Sequence, residues 1–218
     1  MNIHRRVMLL LAACLAAGCA DLRAQQDARE QLIHFAQGLK TFSASFEQRV
    51  LGTDGKVEDQ SAGRVWLSQP NFIRWEYGGD FPQLVVADGR YIWIYDEALE
   101  QVTVKPQSDL AADSPLSVLT DISKLDEQFQ VREAGDMDGM FLLELRPNRS
   151  ESEFDRILLG LQQDQLILMT MEDAFGLRTE VRFSEPQRNP SVDPDLFSFT
   201  PPPGVDVIGR SELDAAKP

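Results

Sequence analysis

Hydrophobic and polar residues alternate in short runs through most of the chain, and most of these runs end at a turn sequence. The clearest pair of runs flanks Asp88-Gly89, with LVVA before it and YIWIY after it. A two-residue loop favours residues that tolerate positive φ, so this pattern predicts a β-hairpin. Residues 42–51 alternate in the same way and predict the first strand, with Phe42, Phe46 and Val50 on its apolar face.

All three tryptophans and all three tyrosines lie between residues 64 and 106, among β-branched runs of strand length. This composition predicts a meander of antiparallel strands. Within residues 72–77, Ile73, Trp75 and Tyr77 share one face, because successive side chains of a strand point to opposite sides. Residues 91–95 are apolar or aromatic on both faces. Periodicity leaves two interpretations open: an ordinary packed core, or a curved sheet whose concave face encloses a cavity.

Two segments have helical character instead. Residues 26–40 carry Leu32, Phe35 and Leu39 on one face, which predicts an amphipathic helix, with His34 off that stripe at the surface. Ser114 and Pro115 are typical of a helix start, and a short apolar helix follows them.

The remainder of the chain predicts further strands, one helical turn and a frayed tail after residue 209. The strands are expected at residues 61–68, 128–133, 140–146, 154–161, 166–174 and 177–184, the helical turn at 193–196, and an extended piece at 197–199.

The N-terminus resembles a secretory signal. Arg5 and Arg6 precede an apolar run over 7–17 that is too short to span a bilayer, and small residues follow. We expect residues 1–24 to be the signal, cut after residue 20 or 24, and residues 25–218 to form a single domain. The sequence Leu-Ala-Ala-Gly-Cys ending at Cys19 also resembles a lipobox, so lipid attachment at Cys19 stays open.

Composition narrows the possible chemistry. The formal net charge of -14 argues against nucleic acid as a partner. Both cysteines and one of the two histidines lie within residues 1–24, which leaves His34 without the partners of a metal site or a catalytic triad. No nucleotide-binding or hydrolase motif is present in the sequence. We therefore expect no catalytic residue, no metal and no cofactor, and a binding protein rather than an enzyme.

Four segments together resemble the outer-membrane lipoprotein carrier family (LolA), and they occur in the family's order. They are TFSASFEQRV, WLSQPNFIRWEY, LVVADGRYIWIYDEALEQVTV and VDPDLFSFTPPPGVDV. The resemblance implies a mainly β (α+β) fold: an incomplete antiparallel β-barrel of about 11 strands, with helices that close a hydrophobic cavity.

The resemblance also implies a function. Such a protein is a periplasmic, monomeric carrier that takes outer-membrane lipoproteins from an inner-membrane lipoprotein-releasing ABC transporter. It shields their acyl chains in its cavity and passes them to an outer-membrane receptor lipoprotein of the same fold, which is LolB-like. The alternative is a membrane-tethered lipid- or lipoprotein-binding receptor or sensor of the same fold, anchored through Cys19.

Carried over residue by residue, the resemblance assigns roles to specific positions. The lipid-binding set is Ile73, Trp75 and Tyr77 on the third strand, Leu116 and Leu119 on a lid, and Phe42, Phe46 and Val50 on the first strand. Gln69 stands where the family usually has an arginine that holds the lid shut. Glutamine lacks the charge and the five donors of a guanidinium. Either the closed form is weaker here, or another group such as Arg64 makes the contact.

Overall fold

The structure is a computed structural model that describes residues 27–107, 122–149 and 152–209. Leu116 and Leu119, residues 1–24 with Cys19, and the tail after residue 209 lie outside these ranges. Within them, no helix combines the length and the apolar character needed to cross a membrane.

Twelve strands form one sheet, in the order β12-β6-β5-β4-β3-β2-β1-β11-β10-β9-β8-β7. Neighbouring strands pair antiparallel except β12, which pairs with β6 in parallel. The edge strands β7 and β12 do not pair with each other in the described chain, so the barrel is incomplete and the predicted fold class is confirmed. The strands are β1 Thr41–Leu51, β2 Val57–Ser68, β3 Phe72–Tyr77, β4 Gln83–Asp88, β5 Tyr91–Asp96, β6 Gln101–Pro106, β7 Phe129–Met137, β8 Met140–Pro147, β9 Arg156–Gln162, β10 Gln165–Glu172, β11 Arg178–Arg188 and β12 Asp206–Ile208.

The sheet curls so strongly that distant strands meet across its concave side. Trp75 on β3 and Phe183 on β11 have ring centroids 6.2 Å apart, although β2 and β1 lie between these strands in the sheet. Gly63 on β2 permits the close approach of the β3 backbone, because a Cβ there would lie 1.7 Å from the backbone oxygen of Glu76. The main hydrophobic core fills this concave side.

Helix α1, Ala28–Ala36, covers one end of the curled sheet. It begins at Asp27, whose side chain accepts a hydrogen bond from the Glu30 backbone N–H. It buries Leu32 and Phe35 against β8, β9 and β10. The Phe35 ring meets Phe42 at the start of β1, with ring centroids 5.5 Å apart. The helix is shorter than the predicted 26–40, because the chain turns away at residues 37–38.

His34 lies off the buried stripe of α1, as expected. Its side chain is 40% exposed, and Nδ1 lies 3.4 Å from an Asp164 carboxylate oxygen. The other helical elements are short: a 3₁₀ turn at Ile122–Lys124, helix α2 at Leu125–Gln128, and a 3₁₀ turn at Pro194–Phe197.

The convex face of β4 to β6 is covered by the C-terminal strap, residues 194–208. This explains why β5 is apolar on both faces: Ile92 packs on the main core, whereas Trp93 packs under Phe199 of the strap, with ring centroids 5.7 Å apart. Arg74 ties the strap to β3 by donating from Nη1 to the Leu196 carbonyl oxygen at 3.0 Å. The sequence did not predict β12, since it is three residues long and its parallel pairing with β6 has no local signature.

A buried carboxylate lies on the outer face of β8. Glu144 is 3% exposed and accepts hydrogen bonds from Arg132 (2.7 Å), Arg146 (3.0 Å) and Arg156 (2.6 Å). Burial acts to raise the pKa of Glu144, but the hydrogen bonds from Arg146 and Arg156 outweigh it and the pKa is lowered. The cluster joins β7, β8 and β9 on the outside of the sheet.

Candidate functional site

A mainly apolar pocket of about 230 Å³ lies on the concave side of the sheet. Side chains from β3 and β4 form one wall, and side chains from β10 and β11 form the opposite wall. The lining residues are Gln48, Ile73, Trp75, Tyr77, Val85, Glu153, Phe154, Met169, Met171 and Val181. Because strands that are not neighbours in the sheet face each other here, the curl of the sheet creates the pocket.

Strand register places the Met171 side of this pocket away from α1. Strand β1 begins at the α1 end, where Phe42 packs on the helix. It finishes at the pocket end, where Val50 pairs with Thr179 on β11 and Thr179 pairs with Met171 on β10. The helix therefore packs at one end of the barrel, and the pocket extends from Met171 near the other end to Ile73, whose partner Leu67 pairs with Phe42.

The structure brings the predicted residues of β3 together on the pocket wall. Ile73 and Trp75 are 4% and 6% exposed, and Tyr77 is half-buried nearer the mouth. Phe46 lies directly behind them, with its ring centroid 4.8 Å from that of Trp75 and 5.2 Å from that of Tyr77.

The other predicted residues of β1 lie elsewhere. Phe42 is fully buried at the α1 end, away from the pocket, and Val50 is half-buried beyond the pocket lining. Phe46 supports the pocket without lining it. The first strand thus contributes support and core packing, and only Gln48 of β1 lines the pocket.

Three polar groups belong to the pocket wall formed by β1 and β3. The Tyr77 hydroxyl donates to Gln48 Oε1 at 3.1 Å. Burial raises the pKa of Tyr77 to about 12, so the phenol stays neutral at ordinary pH. The Trp75 indole nitrogen is buried and has no hydrogen-bond partner.

Two larger hollows at the surface border the pocket. One, of about 580 Å³, shares Glu153, Phe154 and Met171 with it and includes Phe175, which is 87% exposed. The other, of about 1090 Å³, shares Gln48 and Tyr77 with it and is lined by several acidic residues. The pocket therefore adjoins a rim of mixed apolar and polar residues on one side and an acidic rim on the other.

Sequence reasoning missed the wall opposite β3. Met169, Met171 and Val181 form that wall. Val85, which was also missed, lies beside Trp75 on the β3 side of the pocket. Their strands were predicted, and alternation shows which side chains share a face. The sequence does not show that this face lies across a cavity from Trp75.

Of the two proposed latch residues, Gln69 lies near the end of the barrel that α1 covers, whereas Arg64 pairs with Glu76, which lies between Trp75 and Tyr77 on β3. Gln69 is exposed, and its backbone N–H donates to the Lys40 carbonyl oxygen at 2.8 Å, beside the start of β1. Arg64 is on the outer face of β2, with its guanidinium carbon 5.3 Å from the Trp66 ring centroid, whereas the neighbouring Val65 faces the core.

Comparison with known proteins identifies relatives that match nearly the full length of the chain. Residues 37–200 match the family model described as outer membrane lipoprotein carrier protein LolA. The outer-membrane lipoprotein carrier protein of Dechloromonas aromatica is 38% identical over 210 residues, covering 96% of this chain and 99% of that protein. The protein of the same name from Xanthomonas campestris is 41% identical over 212 residues, covering 96% and 100%.

A solved structure supports the same fold. The crystal structure of an uncharacterized conserved protein from Thermus thermophilus aligns with a TM-score of 0.54 at 16% sequence identity, covering 83% of this chain and 98% of that one. At this identity the likeness concerns the fold alone. The family model and the near-full-length relatives decide the assignment: the chain belongs to the LolA family of outer-membrane lipoprotein carrier proteins.

Proposed function

We propose that this protein is a periplasmic carrier that shields the acyl chains of outer-membrane lipoproteins. It receives them from an inner-membrane lipoprotein-releasing ABC transporter and delivers them, as a monomer, to an outer-membrane receptor lipoprotein. The observation that carries the proposal is the pocket inside the curled sheet, where Ile73 and Trp75 face Met169 and Val181. The proposal assigns no catalytic residue, metal or cofactor.

The energetics of burial suit this role. Removing an acyl chain from water recovers about 0.8 kcal/mol per methylene group. A cavity of ~150 Å³ holds a benzene molecule, and sites for drug-sized ligands start near ~300 Å³. The pocket, at about 230 Å³, thus accommodates only part of one acyl chain as it stands.

The rest of the acyl chain needs additional space, and movement of side chains in the pocket wall can supply it. Met169 and Met171 are unbranched and adapt their shape readily. The adjoining hollow of about 580 Å³ offers further apolar surface from Phe154, Met171 and Phe175, beside the carboxylates of Glu153 and Asp173. We infer that loading widens the pocket towards this hollow.

A matched pair of substitutions on β10 tests the pocket. Met171 is half-buried on the pocket wall, and Ile167 is half-buried on the opposite, outer face of the same strand. Met171→Glu places a charge in the path of the acyl chain, so it should weaken binding of a hydrophobic fluorophore at least about tenfold, because charge burial is strongly unfavourable. Ile167→Glu should bind as wild type does.

The assay uses the chain without residues 1–24. A triacylated lipoprotein should displace the fluorophore from the wild-type protein. No displacement at any ratio would refute the carrier function. Equal binding by Met171→Glu, Ile167→Glu and wild type would show that the acyl chains bind elsewhere.

The proposal includes a lid over the cavity. Leu116 and Leu119 are its apolar residues, and Gln69 is the residue that holds it closed. Gln107 is the last described residue before that segment. Its side chain accepts from the Gly89 N–H (2.8 Å) and donates to the Asn71 carbonyl oxygen (2.6 Å), which holds Gln107 beside Asn71, two residues after Gln69.

Gln69→Arg tests the latch. A charge-assisted hydrogen bond is roughly twice as strong as a neutral one, so arginine should stabilise the closed form by ~1 kcal/mol. Apparent affinity falls with the fraction of open protein, so fluorophore uptake should weaken about fivefold. Leu119→Glu, which places a charge on the apolar face of the lid, should favour opening. If Gln69→Arg binds as wild type does while Leu119→Glu differs, position 69 is not the latch.

The N-terminus separates the carrier from its tethered alternative. Mass spectrometry of the protein purified from the producing cell should show an unmodified start at Asp21 or Gln25 for a carrier that crosses the periplasm. An acylated Cys19 would instead support a receptor or sensor of the same fold, anchored at the membrane.

A further inference from the structure

The apolar pocket has one charged residue among its described lining residues, Glu153. This residue is exposed, lies just before β9, and lines both the pocket and the adjoining hollow of about 580 Å³. Phe154 and Met171 are common to the same two linings and are apolar. A carboxylate therefore lies at the border between the pocket and this hollow.

Basic groups do not neutralise Glu153. No lysine, arginine or histidine is among the described residues that line the pocket or either of the two hollows. Arg156, which begins β9, donates to Glu144 Oε2 at 2.6 Å. Arg178, which begins β11, lies 3.3 Å from Glu180. The nearest arginines along these strands are thus paired with other carboxylates.

The larger hollow that borders the pocket is acidic as well. It has a volume of about 1090 Å³, and its lining includes four carboxylates, those of Glu47, Asp59, Asp80 and Asp96. Burial of a charged head group in an apolar pocket is strongly unfavourable, so the head of an amphiphile whose chain fills the pocket lies in one of the two hollows. In either hollow the head meets carboxylates, and the described lining offers it no cation.

We propose that Glu153, with the carboxylates of the two hollows, makes the carrier select against acyl chains that have an anionic head, such as those of acidic phospholipids and free fatty acids. Chain burial cannot make this distinction, because each methylene group contributes equally whatever head it is attached to. The charge of the head can make it, since like charges repel. The inference rests on the proposed carrier function and deepens it by assigning a specificity-determining residue.

The test compares three probes that share one palmitoyl chain and differ in the net charge of the head. They are palmitoylcholine (positive), palmitoyl lysophosphatidylcholine (neutral) and palmitoyl lysophosphatidylglycerol (negative). Each displaces an uncharged hydrophobic fluorophore from the protein without residues 1–24, at probe concentrations below those that form micelles. The wild type should bind palmitoylcholine most tightly and lysophosphatidylglycerol most weakly at low salt.

Glu153→Gln removes the charge and nearly keeps the size of the side chain. The preference for lysophosphatidylcholine over lysophosphatidylglycerol should fall about threefold, which is the effect of one unit charge a few ångströms away in water. Glu153→Lys reverses the charge, so it should change the preference by about the square of that factor, roughly tenfold. The different sizes and hydration of the two heads are the same with each protein and cancel from the comparison.

Asp155→Asn is the matched control. Asp155 lies two residues after Glu153, is also exposed, and is not among the described lining residues of the pocket or of either hollow. This variant changes the net charge of the protein as Glu153→Gln does, and it should leave the preference unchanged.

Salt provides a second readout that a merely structural role of Glu153 would not produce. Raising the ionic strength from about 0.01 M to about 1 M shortens the Debye length from about 30 Å to about 3 Å. The preferences of wild type and Glu153→Gln should therefore differ at low salt and converge at high salt.

The outcomes separate this inference from the carrier function. If neither the three probes nor a triacylated lipoprotein displaces the fluorophore from the wild type, the carrier function fails. If only the lipoprotein does so, or if Glu153→Gln keeps the wild-type preference, or if Asp155→Asn alters it as much, the role of Glu153 is refuted and the carrier function stands. Tighter binding of lysophosphatidylglycerol than of lysophosphatidylcholine by the wild type at low salt would likewise overturn the inference.

Discussion

The buried carboxylate of Glu144 should stabilise the sheet where β7, β8 and β9 meet, and Glu144→Gln tests this. Glutamine keeps the shape and one acceptor oxygen but removes the charge, and its NH₂ group must then face an arginine donor. Breaking a buried ion pair costs about 3–5 kcal/mol when the remaining charge stays buried.

The structure sets the cost of Glu144→Gln below that range. The side chains of Arg132, Arg146 and Arg156 are 72%, 51% and 35% exposed, so their freed guanidinium groups can turn to water. What remains is the loss of short, charge-assisted hydrogen bonds, each worth about 1.5–3 kcal/mol before rehydration. We expect a loss of ~2 kcal/mol in the free energy of unfolding, which lowers Tm by ~4–8 °C in a protein of this size.

The pKa of Glu144 adds a pH signature. Its pKa in the folded protein lies below the ordinary value of 4.5. The stabilisation is therefore fully present above the unfolded-state pKa and is lost as the pH falls through the folded-state pKa. Wild type and Glu144→Gln should differ most near neutral pH and converge as the pH falls through the folded-state pKa, which lies below 4.5.

Urea unfolding followed by circular dichroism at several pH values measures both effects. Glu172→Gln is the matched control, since Glu172 approaches the same Arg156 at 3.8 Å with a side chain that is 40% exposed. An exposed pair of this kind contributes about 0.5 kcal/mol or less. Equal stability of Glu144→Gln and wild type at neutral pH, or a deficit that does not change on acidification, would refute the reasoning.

Three further outcomes follow from the packing. Gly63→Ala should destabilise the protein by more than ~2 kcal/mol in urea unfolding, because its Cβ would lie 1.7 Å from a β3 backbone oxygen. The control is Gly78→Ala, whose Cβ would have its nearest atom at 3.8 Å and which should stay within ~0.5 kcal/mol of wild type. Similar losses of stability in the two variants would contradict this reasoning. Phe197→Ala should lower the free energy of unfolding by ~3 kcal/mol and speed hydrogen exchange in the strap, because Phe197 is only 6% exposed and its ring packs on Phe72 of β3. Unchanged exchange would mean that other contacts hold the strap. Spectroscopic titration should show one tyrosine ionising only near a pH of about 12, a step that Tyr77→Phe removes; persistence of that step would assign it to another tyrosine.

Much of this fold was predictable from the sequence because strands and hairpins are encoded locally. The alternation in residues 42–51 and the turn at Asp88-Gly89 correspond to β1 and to the β4–β5 hairpin. The five strands predicted after residue 127 all exist, with their ends displaced, as for residues 177–184 against Arg178–Arg188. The family resemblance is confirmed by the matched model and by full-length relatives.

Alternation also grouped Ile73, Trp75 and Tyr77 on one face before their surroundings were known. That grouping depends only on the two-residue period of a strand, so it holds in any sheet. Their place on the pocket wall, and the displacement of Phe42 to the helix-covered end, depend on how far the sheet curls.

Tertiary structure alone decided which surfaces meet. Met169 and Val181 face Trp75 because a sheet of this order curls until β10 opposes β3, and no local pattern encodes a partner that is so distant along the chain. The burial of Glu144, the pairing of β12 with β6 and the unpaired N–H of Trp75 have the same origin. Periodicity determines the two faces of each strand, whereas closure of the sheet determines what each face contacts.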